Sequence, residues 1–459
     1  MTDSPASSNP KTTVHDWTQG SIVRNILLLA WPVMVLGVLY AANLILEMIW
    51  VGKLGASSIA GVGVAGFIVL LVVSFKTGLS IGERAMVARF IGQGDLASAN
   101  RVAGQAFLVS FLYGIIVFLI GAFLAGPIFS LFNLQPEALR EGTVYLRVIM
   151  MGWLTEAFWM TSFGLMQASG DVISPMKAAI VLRVINALLC PFLVLGWWIF
   201  PRMGVQGAAV TYISATGVGM IICLWMLLTG RTRLKLSMKD FSPDLKMVWR
   251  MLKIGLPGGI ASIGSSFADL VLTWIMIPFG TAPLAAHNVL SRVEMFINTP
   301  GMGLGTAAGV LVGQNLGAKQ PQRAARSGWL ATAMVSGLML LCTAAVFIWA
   351  RQIIGIFNTD PQMVQMGADF LRIASAGYIA MGLNNILSSN IGGAGDTLPP
   401  MLISLGRLWI IMIPLAVLLS RYTSLGAYGV RWSVVISLIV GAVAYLVYFL
   451  KGKWQRKKV

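Results

Sequence analysis

Twelve apolar runs of about twenty residues or more dominate this 459-residue chain. They lie near 26–51, 59–82, 102–126, 143–167, 176–199 and 206–228, then near 255–279, 284–312, 327–350, 367–390, 400–420 and 427–450. A run of that length crosses a bilayer as a helix, because in hydrocarbon each backbone amide must find its partner inside the segment or in a closed barrel. The fold expected is all-α and polytopic, with 12 transmembrane helices. Composition agrees: 57% of residues are hydrophobic and 11% charged, where a soluble protein carries about 25% charged.

The net charge of +17 is no sign of nucleic-acid binding, because of where the charge sits. Arg231, Arg233, Lys235, Lys239, Lys246 and Arg250 crowd one linker, and Lys451, Lys453, Arg456, Lys457 and Lys458 end the chain. The alternate loops hold few bases, such as Lys53, Arg140, Arg202, Arg351 and Arg421. Positive charge confined to one set of loops is the positive-inside pattern, so both termini and the linker are expected in the cytoplasm. The first run is too long for a signal peptide and lacks a cleavage-like flank. Cys190, Cys223 and Cys342 lie singly in apolar runs, which gives neither a disulfide framework nor a metal spacing.

The two halves are copies. At a shift of 225 residues, Pro32 meets Pro257, Gly55 meets Gly280, Gly78 meets Gly303, Gly92 meets Gly317 and Arg101 meets Arg326. Asn133 then meets Asn358, Pro136 meets Pro361, Arg147 meets Arg372, Asp171 meets Asp396 and Pro175 meets Pro400. Each copy holds six crossings, an even number, so the copies share one orientation and an axis along the membrane normal relates them. Parallel repeats of this kind occur in transporters, with the substrate site between the halves. The expected divisions are a disordered tail at 1–20, an N-lobe at 21–228, a linker at 229–250, a C-lobe at 251–450 and a basic tail at 451–459.

Carboxylates inside apolar runs are costly and face the bundle interior, where they handle an ion or a proton. Four stand out, and none has an acidic counterpart in the other copy. Glu47 ends the first run, 15 residues after Pro32, which removes a helix hydrogen bond and permits a bend. The alternative is that Glu47 reaches the interface. Glu156 sits between Trp153 and Trp159, a setting that suits an organic cation through charge pairing and cation–π contact. Asp269 lies near Trp274, and Glu294 lies near Arg292 and His287, where a local ion pair is the alternative. Lys76 is the one cation read as mid-membrane; it either neutralises an acid or snorkels to the inner face. Glu83 and Arg84 are read as a solvated boundary, with Arg84, Arg89 and Arg101 in the loop near 84–101. The 25 Met residues offer adaptable apolar walls. The chain shows no phosphate-binding Gly-Lys motif, metal cluster or nucleophile arrangement, so neither an enzyme nor a metal or organic cofactor is expected.

Several stretches together carry a family likeness: Trp31-Pro32 and Glu47 in the first run, Val87-Ala-Arg-Phe-Ile-Gly-Gln-Gly-Asp95, and its echo Val312-Gly-Gln-Asn-Leu-Gly317. Ala168-Ser-Gly-Asp171-Val-Ile-Ser-Pro175 and Gly393-Ala-Gly-Asp396-Thr-Leu-Pro-Pro400 complete the set. From about Ile22 to Leu450 the chain resembles the multidrug and toxic compound extrusion (MATE) family. The resemblance implies two six-helix lobes around a central cavity, in an inner or plasma membrane, exporting amphipathic, often cationic compounds in exchange for H⁺ or Na⁺. It also implies that Glu47 binds the coupling ion and that Pro32 lets the helix bend. Some members carry an Asn and an Asp one turn apart in span five; here Asn186 is present and Cys190 takes the acid's place. The acid that other members carry in span ten, near Met381 or Asn384, is missing, and Asp269 lies about a turn from the acid expected in span seven. The ion-coupling candidates are Glu47, Asn186 and Asp269, and so thin an oxygen set favours protons over Na⁺. The substrate-binding candidates are Glu156, Trp153, Trp159, Asp269, Trp274 and Glu294. Expected partners are small amphipathic or cationic molecules and membrane lipids, with no nucleic acid, and the protein is expected as a monomer. The rival readings are a flippase for lipid-linked sugars or other lipids, whose anionic cargo calls for a basic lining, an integral-membrane enzyme and a channel.

Overall fold

In the computed structural model, residues 15–132, 134–357 and 360–457 are described, apart from the side chains of residues 44, 45 and 56. Residues 1–14 of the expected tail, the repeat pair Asn133–Asn358, and residues 458–459 lie outside the described residues. The helices run α1 Ile22–Gly52, α2 Ala56–Gln93, α3 Leu96–Ser130, α4 Pro136–Met151, α5 Trp153–Ser169, α6 Ile173–Leu195 and α7 Val205–Thr229. The second half follows with α8 Leu245–Met276, α9 Thr281–Gly317, α10 Pro321–Gly355, α11 Pro361–Ser375, α12 Tyr378–Gly393, α13 Leu398–Leu405, α14 Ile413–Arg421 and α15 Ala427–Leu450.

Among the described residues, ten segments are long and apolar enough to cross a membrane. The other two crossings are broken helices: α4 and α5 meet at Gly152, and α11 and α12 meet at Gly377. These glycines are repeat partners at the same shift of 225. The expected crossing 400–420 is interrupted by a π-helical turn, Gly406–Met412, just before Pro414, whose ring nitrogen has no hydrogen to donate into the preceding turn.

Two expectations, one about the N-terminal tail and one about the loop after the second span, are corrected. Residues 15–20 are packed rather than loose: Asn25 Nδ2 donates to the carbonyls of Trp17 (3.3 Å) and Gln19 (2.9 Å). The Trp17 indole fills the place where Gly170, at φ +91°, carries no Cβ. The loop expected near 84–101 shrinks to Gly94–Asp95, because α2 runs on to Gln93 and α3 starts at Leu96 with Asp95 accepting from the Ser98 amide at 2.9 Å. Arg84 and Arg89 therefore lie on a helix. The linker is held as well: Gln105 of α3 donates to the carbonyls of Asp240 (3.0 Å) and Ser242 (2.8 Å) and accepts from the Asp244 amide (2.9 Å).

The two crossings that open the halves each divide their packing. In α1, Ile22, Ile26, Leu29 and Ala30 join the core made by α9, α10 and α11, whereas Val51 joins a core of the first half. In α8 the order is reversed: Met251 and Ile254 pack with the first half, while Ala268, Leu272 and Met276 pack with the second. Pro32 and Pro257 mark the two crossovers.

On the side where the described ends of the chain lie, the halves close on a seam of small residues. A Cβ on Gly92 would stand 2.0 Å from the Gln314 carbonyl oxygen, and one on Gly317 would stand 2.2 Å from that of Arg89. Gly92 and Gly317 are repeat partners that meet each other's helices, so the axis relating the copies passes between α2 and α9 here. Farther along α2, Gly78 lies against Gly259 backbone to backbone.

Candidate functional site

The carboxylates fall into two clusters, one in each half. In the first, Tyr145 of α4, itself buried, donates its hydroxyl to Glu47 Oε1 at 2.8 Å. Glu47, half-buried, therefore has a protein partner. One turn before it, Asn43 Nδ2 donates to the Arg183 carbonyl at 3.0 Å, and the Arg183 guanidinium lies over the Tyr40 ring at 4.9 Å. Arg183 acts electrostatically on both Glu47 and Glu156. Glu156 is buried, with the Tyr212 hydroxyl beside it. Asn186 is buried one turn after Arg183 on α6, and Cys190 is buried one turn further on. Of the expected set, Glu47, Glu156 and Asn186 thus share this cluster.

The second cluster centres on Arg431 of α15, which is 3% exposed. Its Nη1 lies 3.9 Å from Glu294 Oε2, and its Nη2 donates to the His287 carbonyl at 3.2 Å. The partner of Glu294 is therefore Arg431 and not Arg292. Asp269 feels Arg407 and Arg431 rather than any charge of the first half, so it does not join Glu47 and Asn186 in one ion site. Arg407 sits on the π-helical turn and interacts electrostatically with Asp269.

The aromatic expectations are corrected. Trp153 (1% exposed) and Trp159 (6%) belong to the cores of the first half, and Trp159 packs on Phe163 with ring centroids 5.5 Å apart. Spacings of three put both on the buried face of α5 with Glu156. Trp274 is 66% exposed and makes no ring contact among the described residues. The rings beside the carboxylates are the tyrosines Tyr40, Tyr145 and Tyr212, none of which sequence reading singled out. Arg183, Arg407 and Arg431 were missed too, although each lies within a span expected from hydropathy. Lys76 and Glu83 are also corrected. They form an ion pair of 2.7 Å, two turns apart on α2, at 0% and 1% exposure, so Glu83 is no solvated boundary and Lys76 does not snorkel.

The geometry so far is that of a two-lobed transmembrane carrier with ionisable groups held inside each lobe. The MatE family model matches the chain twice, over residues 32–192 and 257–418, and the two matches start 225 residues apart, at Pro32 and Pro257. The chain belongs to the MatE family of multidrug efflux transporters. It is 24% identical over 454 residues to the "Probable multidrug resistance protein YoeA" of Bacillus subtilis, covering 96% of each chain. In fold it is similar to a MOP superfamily transporter from Pyrococcus furiosus, with TM-score 0.91 and 22% identity over 98% of this chain and 100% of that one. It is similar to the same extent of both chains, with TM-score 0.90 and 22% identity, to a multidrug resistance MATE transporter in an outward-facing conformation.

Proposed function

We propose that this protein is a proton-coupled antiporter that exports amphipathic, mainly cationic organic compounds by alternating access, with Glu47 as the group that loads the coupling ion. One observation carries the reading: a carboxylate inside an apolar span is held by a buried tyrosine hydroxyl at 2.8 Å and lies in the field of a single arginine. Such a group changes charge when it takes up a small cation, and a change of charge at membrane depth is large enough to re-pack a helix. The helix to be re-packed is α1, whose two halves belong to different lobes and meet at Pro32. Among the described residues Glu47 has one hydrogen-bond partner, the Tyr145 hydroxyl, with Asn43 and Asn186 as the nearby amides, a thin oxygen set that supports protons over Na⁺.

The closed seam at Gly92 and Gly317 supports an outward-facing state, with the termini and the basic linker in the cytoplasm. Functional groups lie in each lobe of one chain, which supports a monomer working in a cell membrane. Arg183, Arg407 and Arg431 each lie near carboxylates, so these three charges are balanced within their lobes. That disfavours a basic lining for lipid-linked anionic cargo.

The test is a reconstituted vesicle assay with a cationic dye, driven first by a pH gradient and then by a Na⁺ gradient. Dye movement under the pH gradient alone, lost in Glu47→Gln with normal membrane insertion, is the expected result. Movement under the Na⁺ gradient alone overturns the choice of ion, and full activity of Glu47→Gln overturns the role of Glu47.

A further inference from the structure

One to three helical turns before the Gly92 seam on α2, a cavity of about 130 Å³ lies between the lobes. Arg84 of α2, Thr306 of α9, and Ser388 and Ser389 of α12 contribute its polar lining, and glycines of α9 and α12 make the room. Arg84 is the charged residue in that lining. Its stem lies beside Gly164 of α5, where an added Cβ would stand 3.5 Å from Arg84 Cδ.

Arg84 forms no ion pair among the described residues. Its Nε makes one long hydrogen bond, 3.4 Å to the Ser80 carbonyl, and the adjacent acid, Glu83, is already taken by Lys76 at 2.7 Å. A half-buried guanidinium inside a span with no direct ion-pair partner among the described residues is held at a free-energy cost that an arriving anion would offset. The planar fork of arginine matches the two oxygens of a carboxylate or phosphate. Volume limits the occupant: a water takes about 30 Å³ of liquid and drug-sized pockets run to roughly 300–1,000 Å³. The space therefore suits one polar group of a larger molecule.

We propose that this cavity is an oxyanion seat, in which Arg84 with the hydroxyls of Thr306 and Ser389 receives a carboxylate or phosphate group of a larger molecule. This rests on the efflux reading and adds a charge selectivity that the carboxylate clusters do not supply.

The test compares two dyes that differ by one group, a cationic rhodamine ester and its zwitterionic free acid, in vesicles carrying the full-length protein. Arg84→Gln is expected to raise the half-saturating concentration of the free acid about tenfold, as loss of one charge-assisted contact does, and to leave the ester within about twofold. Thr306→Val, which removes only a hydroxyl, is expected to weaken the free acid about threefold and serves if Arg84→Gln does not reach the membrane. Equal losses for both dyes, or no change for either, overturn the proposal.

Parallel arms in phosphatidylcholine and phosphatidylglycerol vesicles, with and without inorganic phosphate, separate the sources of the oxyanion. Competition with the free acid that appears only with the anionic lipid or with phosphate, and that vanishes in Arg84→Gln, supports the seat and names its other occupant. If the wild-type protein moves neither dye, the efflux reading has failed. The seat is then judged by equilibrium binding of the free acid to detergent-solubilised protein, where Arg84→Gln must still bind more weakly.

Discussion

Tyr145 donates its hydroxyl to Glu47 across 2.8 Å, and this contact ties α4, half of a broken crossing, to α1, the helix shared by both lobes. The two residues have separable effects. Glu47→Gln removes the titratable group and is expected to reduce gradient-driven dye efflux to the level of empty vesicles. Tyr145→Phe removes one hydrogen bond to a charged group, about 1.5–3 kcal/mol, and is expected to slow efflux by tenfold or somewhat more while keeping it dependent on the gradient. Initial rates in the vesicle assay distinguish them.

The Lys76–Glu83 pair makes a stability prediction. Its two charges satisfy each other in a dry interior, so removing one leaves the other uncompensated, at a cost of about 3–5 kcal/mol. Glu83→Gln is expected to lower the melting temperature of the detergent-solubilised protein. The double variant Lys76→Met, Glu83→Leu, which buries apolar groups instead, is expected to recover most of the loss. A double variant no more stable than the single one counts against the pair as a structural element.

The seam between the lobes depends on the absence of side chains. At Gly92 a Cβ would meet the Gln314 carbonyl oxygen at 2.0 Å, where backbone cannot yield. Gly92→Leu is expected to hold the seam open. Spin labels at positions 95 and 320 should then move apart by several ångströms relative to wild type, measured by pulsed electron resonance. An unchanged distance would show that the lobes close without this contact.

Proline 32 and its repeat partner Pro257 each sit where a helix passes from one lobe's core to the other's. A proline inside a helix costs about 3 kcal/mol relative to alanine. Pro32→Ala and Pro257→Ala are therefore both expected to leave thermal stability unchanged or raised while reducing turnover, with dye binding retained. Equal turnover in wild type and both variants would mean that neither crossover bends during transport.

Much of the architecture was legible before any coordinates. Hydropathy located all twelve crossings, and the shift of 225 that pairs Pro32 with Pro257 also pairs Gly152 with Gly377, the two glycines at which crossings break. The site was less legible. Trp153 and Trp159 flank Glu156 at helical spacing, and that spacing alone does not tell a ligand-facing stripe from a core-facing one; both rings are in the core. Arg183, Arg407 and Arg431 sit in spans that hydropathy had already drawn, and an inspection of each span for cations as well as acids finds them. Tyr145 carries no such mark, since a lone tyrosine in an apolar run looks like any packing aromatic.

The order of apolar runs by itself determined that this chain is a membrane-spanning bundle of two parallel copies, because the length needed to cross hydrocarbon and the equality of two stretches are properties of contiguous residues. Which charges meet was decided only by tertiary structure. Glu47 finds Tyr145 in another crossing, Glu294 passes over nearby Arg292 for the distant Arg431, and Arg84 forms no ion pair among the described residues while its neighbour Glu83 pairs with Lys76. The reason is rotational: a helix can turn any of its faces inward, and only the packing of its neighbours selects which side chains share an interior.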